Sequence, residues 1–127
     1  MRDRTGASAF EFALVLPVFL VMMLGTMQYG VLFYTWNMAL YGARNAARAV
    51  AVSSTNVSGG QTMMVNAMPP WVTSRAGTGD VVASITDAAV GGDVVATLKV
   101  PAKWATVLNI APMPTTLSVT VRMVKEA

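Results

Sequence analysis

From Phe12 to Ala43 the chain carries no charged residue, and the stretch is flanked by Glu11 and Arg44. Phe12–Phe33 alone would make a helix of about 33 Å at 1.5 Å per residue. That matches a hydrocarbon core of about 30 Å. The chain therefore predicts one membrane-spanning helix, about residues 12–33, near its N-terminus. Gly25, Thr26, Gln28 and Gly30 make the second half less apolar than Phe12–Leu24. Pro17 lies inside the run, where a missing N–H and a clash with the carbonyl of residue 13 predict a kink.

A removed secretory signal is the simpler explanation of an apolar N-terminus, with Arg2 and Arg4 as its charged flank. The run is longer than the usual 7–15 residues of such a signal, and the small residues that follow it, Ala43–Ala51, repeat among two arginines in a helical pattern rather than as a cleavage site. Arg2 and Arg4 before the span are nearly balanced by Arg44 and Arg48 after it. Charge alone therefore orients the span weakly, with the N-terminus on the cytoplasmic side.

The helical pattern continues past the span. Tyr34 and Trp36 suit a membrane interface, and the Ala-rich stretch from Gly42 to Ala51 is rich in helix formers. Met38, Ala39, Ala43, Ala46, Ala47 and Val50 recur at three- and four-residue spacing, which predicts one face packed on a soluble domain. The helix is expected over 7–52. Ser53-Ser54-Thr55-Asn56, followed by Ser58-Gly59-Gly60, reads as its stop. Arg44 and Arg48, four apart, share a face; they are either a solvated surface or a contact with lipid headgroups or a neighbouring subunit's acid.

Residues 53–127 are predicted to form an α+β domain. Gln61–Met68 reads as two helical turns ended by Pro69-Pro70. Met63, Met64, Met68, Trp71 and, further on, Trp104 are either flexible core or an adaptable interface. Three runs then read as strands: Val81–Thr86, Asp93–Val100 and Thr116–Val124. In the second, Val94, Ala96, Leu98 and Val100 share a face, and in the third Leu117, Val119, Val121 and Met123 do so. Gly91-Gly92 signals a hairpin. Pro101, Pro112 and Pro114 fence a connection carrying Trp104 and Leu108. The fold class is α+β: a long N-terminal helix, transmembrane in its first half, packed on a small antiparallel sheet of about three strands.

Composition narrows function by exclusion. The chain has no Cys and no His, which removes thiol chemistry and the commonest general base and metal ligand. The acids Asp80, Asp87, Asp93 and Glu126 show no paired catalytic or EF-hand spacing, so no metal, no cofactor and no enzymatic activity are expected. The net charge of +3 comes from dispersed residues, unlike the clustered basic face that nucleic acid requires.

The junction before the span is more specific. Gly6 is followed by Ala7 and Ser8, and Glu11 is the fifth residue after it, at the mouth of the run Phe12-Ala13-Leu14-Val15-Leu16-Pro17-Val18. An acid there is costly unless it stays at the interface or finds a partner. By itself it reads as an acid in the first helical turn, favoured by the helix dipole by about 0.3–1 kcal/mol. In combination, "EFALVLPVFL" and the later "GARNAARA" resemble the TadE-like pseudopilins, or minor pilins, of tight-adherence (Tad/Flp) pili, relatives of type IV pilins. The resemblance covers about residues 5–52.

It implies a leader of residues 1–6 removed by a prepilin peptidase between Gly6 and Ala7. Glu11 of one subunit would then pair with the new Ala7 ammonium of another, relieving the cost of both charges beside hydrocarbon. It also implies a bacterial inner-membrane protein with the N-terminus cytoplasmic and residues 53–127 periplasmic. Its partners would be other pilins, the pilus assembly machinery and inner-membrane lipid, with a role in adhesion or secretion. The chain is longer than major pilins of this class, so a minor or pseudopilin role follows. The competing expectation is an unprocessed, single-pass accessory or binding module of a secretion complex. A membrane-anchored hydrolase ranks third, lacking His, Cys and paired carboxylates.

Overall fold

A computed structural model of the chain describes residues 4–77, 79–106 and 110–126, with side chains from Ser8 onward. Helix α1 spans Arg4–Ala51 and runs unbroken through Pro17. Its 48 residues make a rod about 72 Å long. It begins three residues earlier than expected and ends one earlier. Its C-terminus is closed by Ser53, which takes a left-handed φ of 55°. The Ser54 N–H turns back onto the Ala49 carbonyl at 2.9 Å, satisfying an acceptor that the helix end would leave open.

The rod has two surroundings. From Ser8 to Met27 every side chain is exposed except at Leu24 and Gly25, which are half-buried. From Gln28 onward one stripe is buried: Gln28, Leu32, Thr35, Ala39, Ala43, Ala46, Ala47 and Val50. The steps of three and four that marked this stripe beyond Met38 extend it nearly three turns further toward the N-terminus. Small alanines let the sheet approach closely.

Helix α2, Val57–Asn66, follows almost at once. The expectation that Ser58-Gly59-Gly60 belongs to the stop is corrected: these residues form the first turn of α2. The Asn56 side chain accepts the Gly59 N–H at 2.7 Å, capping orphan donors that would otherwise favour a loop. Gly60 is needed there for space, since a Cβ would stand 2.7 Å from Ile85 Cδ1 and 2.9 Å from Val50 Cγ2.

Pro69-Pro70 does not end that helix, which stops at Asn66. Pro70 instead opens a second short helix, α3, Pro70–Arg75, at the position where its missing N–H costs nothing. Met64 and Met68 are buried in the core, Trp71 is half-buried against it, and Met63 is exposed.

The sheet is antiparallel in the order β1-β2-β3, with β1 Val82–Thr86, β2 Asp93–Pro101 and β3 Thr116–Val124. The expected strands are present within a residue at each end. Val94, Ala96, Leu98 and Val100 are buried on the face toward α1, opposite Met123, Val121, Val119 and Leu117 in register. Each fully buried Val or Leu contributes about 1.5–3 kcal/mol over an exposed one. On the outer face Thr97 and Thr120, also in register, share a hydroxyl hydrogen bond of 3.2 Å. Gly91, with φ of 83°, supplies the left-handed residue of the β1–β2 connection.

Helix α4, Ala102–Ala105, lies between β2 and β3, and the Ala102 N–H to Thr115 carbonyl bond of 3.1 Å closes the base of that connection. Trp104 donates its indole N–H to Asp80 at 3.0 Å, tying α4 to the turn before β1. Leu108 lies outside the described residues. The fold is thus α+β, with the second half of a long helix packed on a three-stranded antiparallel sheet.

Candidate functional site

Two regions of α1 carry chemistry that a structural role alone does not require: the Gly6–Glu11 junction and the point where the bare rod meets the domain. Gly6 and Ala7 lie within the first turns of α1. Glu11 is exposed, as are Phe10 and Phe12 on either side of it. Because α1 starts at Arg4, Glu11 stands beyond the first turn, where the dipole's favour has largely decayed. The carboxylate is therefore surrounded by bare apolar side chains. No ion pair reaches it among the described residues, where the sole salt bridge is Lys125–Asp87 at 2.7 Å.

Ser8–Met27 would cover about 30 Å of helix axis, the thickness of a hydrocarbon core. The most apolar 18-residue window has a mean hydropathy of 2.1, and none of it is buried. Phe10, Phe12, Met22 and Met27 are each at least 60% exposed. A row of aromatic and aliphatic side chains left this bare marks a surface meant for lipid or another protein. Among the described residues, α1 is the one helix long and apolar enough to cross a membrane.

The junction with the domain is polar and closed, and sequence reading missed it. Gln28 is buried. Its Oε1 accepts the N–H groups of Ile110 at 2.7 Å and Ala111 at 3.0 Å, while its Nε2 donates to the Ala111 carbonyl at 3.2 Å. Next to it, the Tyr29 hydroxyl donates to the Pro112 carbonyl at 2.7 Å. Two turns on, the buried Thr35 hydroxyl lies 2.8 Å from the Ala105 carbonyl and 3.0 Å from the Val31 carbonyl.

Ile110, Ala111 and Pro112 thus use side chains of α1 in place of a neighbouring strand to satisfy backbone groups. The signal available in the sequence was Gln28 itself, an amide in an apolar helix, which must find partners when buried. Its partners lie about 80 positions away, and nothing local indicated them.

Arg44 and Arg48 are both exposed, on the side of α1 opposite the alanine stripe. Arg44 stands 17 residues beyond Met27, about 26 Å along the axis. Among the described residues no group of three or more His, Asp or Glu gathers at metal-binding distance.

These features define a class: an α+β protein carried on a helix long and apolar enough to cross a membrane, clamped to its domain at the end of the bare stretch. Residues 6–48 match the family model described as TadE-like protein, so the segment from the Gly6 junction to the Ala-rich stretch is TadE-like, as "EFALVLPVFL" and "GARNAARA" implied. No curated protein and no solved structure matches the chain. The TadE-like segment supports a role connected with tight-adherence pili and with other pilus components.

Proposed function

We propose that this chain is a non-enzymatic pseudopilin or minor pilin that takes part in assembling a tight-adherence pilus. The single observation behind the proposal is an exposed Glu11 on a bare apolar helix, five residues after Gly6, within a TadE-like segment. Prepilin peptidase cuts between Gly6 and Ala7. The cut lies in the first helical turn, the part that frays most readily, and Gly6 weakens that turn by about 1 kcal/mol relative to Ala. The freed Ala7 ammonium of one subunit pairs with Glu11 of another, and the bare faces of their helices pack together. The chain sits in the bacterial inner membrane before assembly, N-terminus in the cytoplasm and domain in the periplasm.

Arg44 and Arg48 lie too far from Met27 to reach headgroups, whose layer adds only about 5–8 Å to each side of the hydrocarbon. A neighbouring subunit's acid is the better partner for them.

N-terminal sequencing of protein from native membranes tests this proposal. The mature chain begins at Ala7; a chain retaining residues 1–6, or cut beyond Leu24, overturns it. One observation favours the second reading, an unprocessed anchored accessory of a secretion complex: α1 is helical through Gly6 and offers no extended segment to a protease. The same sequencing separates the two.

A further inference from the structure

The clamp fixes where the domain stands relative to any membrane that α1 crosses. Gln28 follows directly on the bare stretch Ser8–Met27, and its side chain holds the backbone of Ile110 and Ala111. If the hydrocarbon core covers 8–27, that segment lies at the headgroup boundary. If it covers 12–33, Gln28 is about 7.5 Å inside the core, and the held segment is immersed with it. Either register puts Ile110–Pro114 against lipid.

The chemistry of the surface agrees. Ile110, Pro112 and Pro114 are exposed, and Met113 is half-buried. Lys103 lines one shallow cleft with Pro112 and Met113, and its ammonium stands 4.8 Å from the centre of the Trp104 ring. Tyr29, tied to Pro112, is exposed beside them. An apolar tip rimmed by a lysine and aromatic rings is the composition that settles at a bilayer interface.

We propose that the described part of the β2–β3 connection, Ala102–Ala105 and Ile110–Pro114, is a foot that rests in the headgroup layer of the bilayer. Ile110 is its inserted tip, and Lys103 is placed for lipid phosphate. The foot holds the sheet upright over the membrane and keeps the β1–β2 connection at the far end, since β2 is nine residues long, about 30 Å. The inference rests on α1 being a membrane anchor, and its test separates the two claims.

The chain has no native cysteine, so single-cysteine variants of the full chain take one label each. Ile110→Cys, Val90→Cys and Met22→Cys would carry a polarity-sensitive fluorophore in vesicles of phosphatidylethanolamine and phosphatidylglycerol. Nitroxide lipids, labelled either at the headgroup or in the acyl chain, serve as quenchers. The expected result is strong quenching of the Ile110 label by headgroup nitroxide, several-fold above the Val90 label, with the Met22 label quenched by acyl-chain nitroxide. If the Met22 label is quenched while the Ile110 label behaves like Val90, the foot is overturned and the anchor stands. An unquenched Met22 label overturns the anchor and the foot with it. Quenching at Ile110 that is equally weak for both nitroxides, with a blue shift that grows with protein density, identifies a second copy of the chain as the occupant and also overturns the foot.

Discussion

Gln28 and Ala111, 83 positions apart in sequence, exchange a pair of hydrogen bonds: the Gln28 amide donates to the Ala111 carbonyl at 3.2 Å, and the Ala111 N–H donates to Gln28 Oε1 at 3.0 Å. Gln28 thereby pins Ile110 and Ala111 to α1 at the point where the bare stretch of the helix ends. Replacing it with Ala leaves the N–H groups of Ile110 and Ala111 without their acceptor, a loss of about 1–3 kcal/mol for a part-buried site. Chemical denaturation in detergent micelles, followed by Trp fluorescence, should register that loss. Limited proteolysis of Gln28→Ala should cut first between residues 106 and 113. Wild-type stability together with unchanged protease resistance would show that the clamp contributes nothing.

Glu11→Ala should leave membrane insertion and the fold of residues 53–127 unchanged while abolishing or strongly reducing surface pili. Glu11 is exposed on the bare stretch of α1, outside the buried core of the domain, so a folding defect is not the expected explanation. Glu11→Asp retains the charge and should recover part of the assembly. Normal piliation in Glu11→Ala cells, counted by electron microscopy, would remove the pairing role.

Gly42 and Gly25 make a contrasting pair on one helix. A Cβ at Gly42 would stand 2.7 Å from the Ala67 Cβ and 3.3 Å from the Met64 carbonyl, whereas at Gly25 nothing lies within 4 Å. Ala67 has no rotamer with which to give way, so Gly42→Ala forces α1 and the end of α2 apart at about 1–3 kcal/mol. The helix propensity gained, about 1 kcal/mol, offsets only part of that. Gly25→Ala gains the propensity without a clash. Thermal melts should place Gly42→Ala below wild type and Gly25→Ala at or above it; the reverse order contradicts the packing.

Lys125 holds the end of β3 to the β1–β2 connection through both oxygens of Asp87, at 2.8 and 2.7 Å. The Lys125 hydrogen bonds are the main reason that the Asp87 carboxyl sits below its ordinary value. A lowered folded-state pKa means that the contribution is fully present above the unfolded value and fades as pH falls through the folded one. Asp87→Asn should therefore lie slightly below wild type in melting temperature at neutral pH, and the two should converge in strong acid. A gap that persists at the acid end, where both side chains are uncharged, excludes this ion pair as its source.

Much of the domain was legible because its strands are half-buried. Alternation in Asp93–Val100 and Thr116–Val124 assigns each side chain to a face, and the register pairs Leu98 with Val119 and Ala96 with Val121 on the buried one. The Ala39–Val50 stripe was legible for the corresponding reason at helical period. Gly59-Gly60 and Pro69-Pro70 misled because both pairs are local breakers whose effect depends on position. Asn56 caps the first pair into a helix, and Pro70 falls where a proline starts one. The share of the five Met and Trp candidates that is core was likewise open, since Met63 and Met64 are adjacent and only packing chose Met64, with Trp71 and Trp104 half-buried against the core.

The sequence by itself determined that a charge-free stretch of helix, residues 12–43, precedes a small three-stranded α+β domain, and that Gly6 and Glu11 stand just ahead of that stretch. Hydrophobic period and charge are properties of neighbouring residues, so one chain suffices to read them. Only the tertiary structure decided where the bare helix ends, which is at Met27, and what lies against the next turn. Gln28 is polar in sequence and buried in the fold because its hydrogen-bonding partners come from a segment more than 80 residues later. Burial of an amide is decided by partners that no local pattern contains.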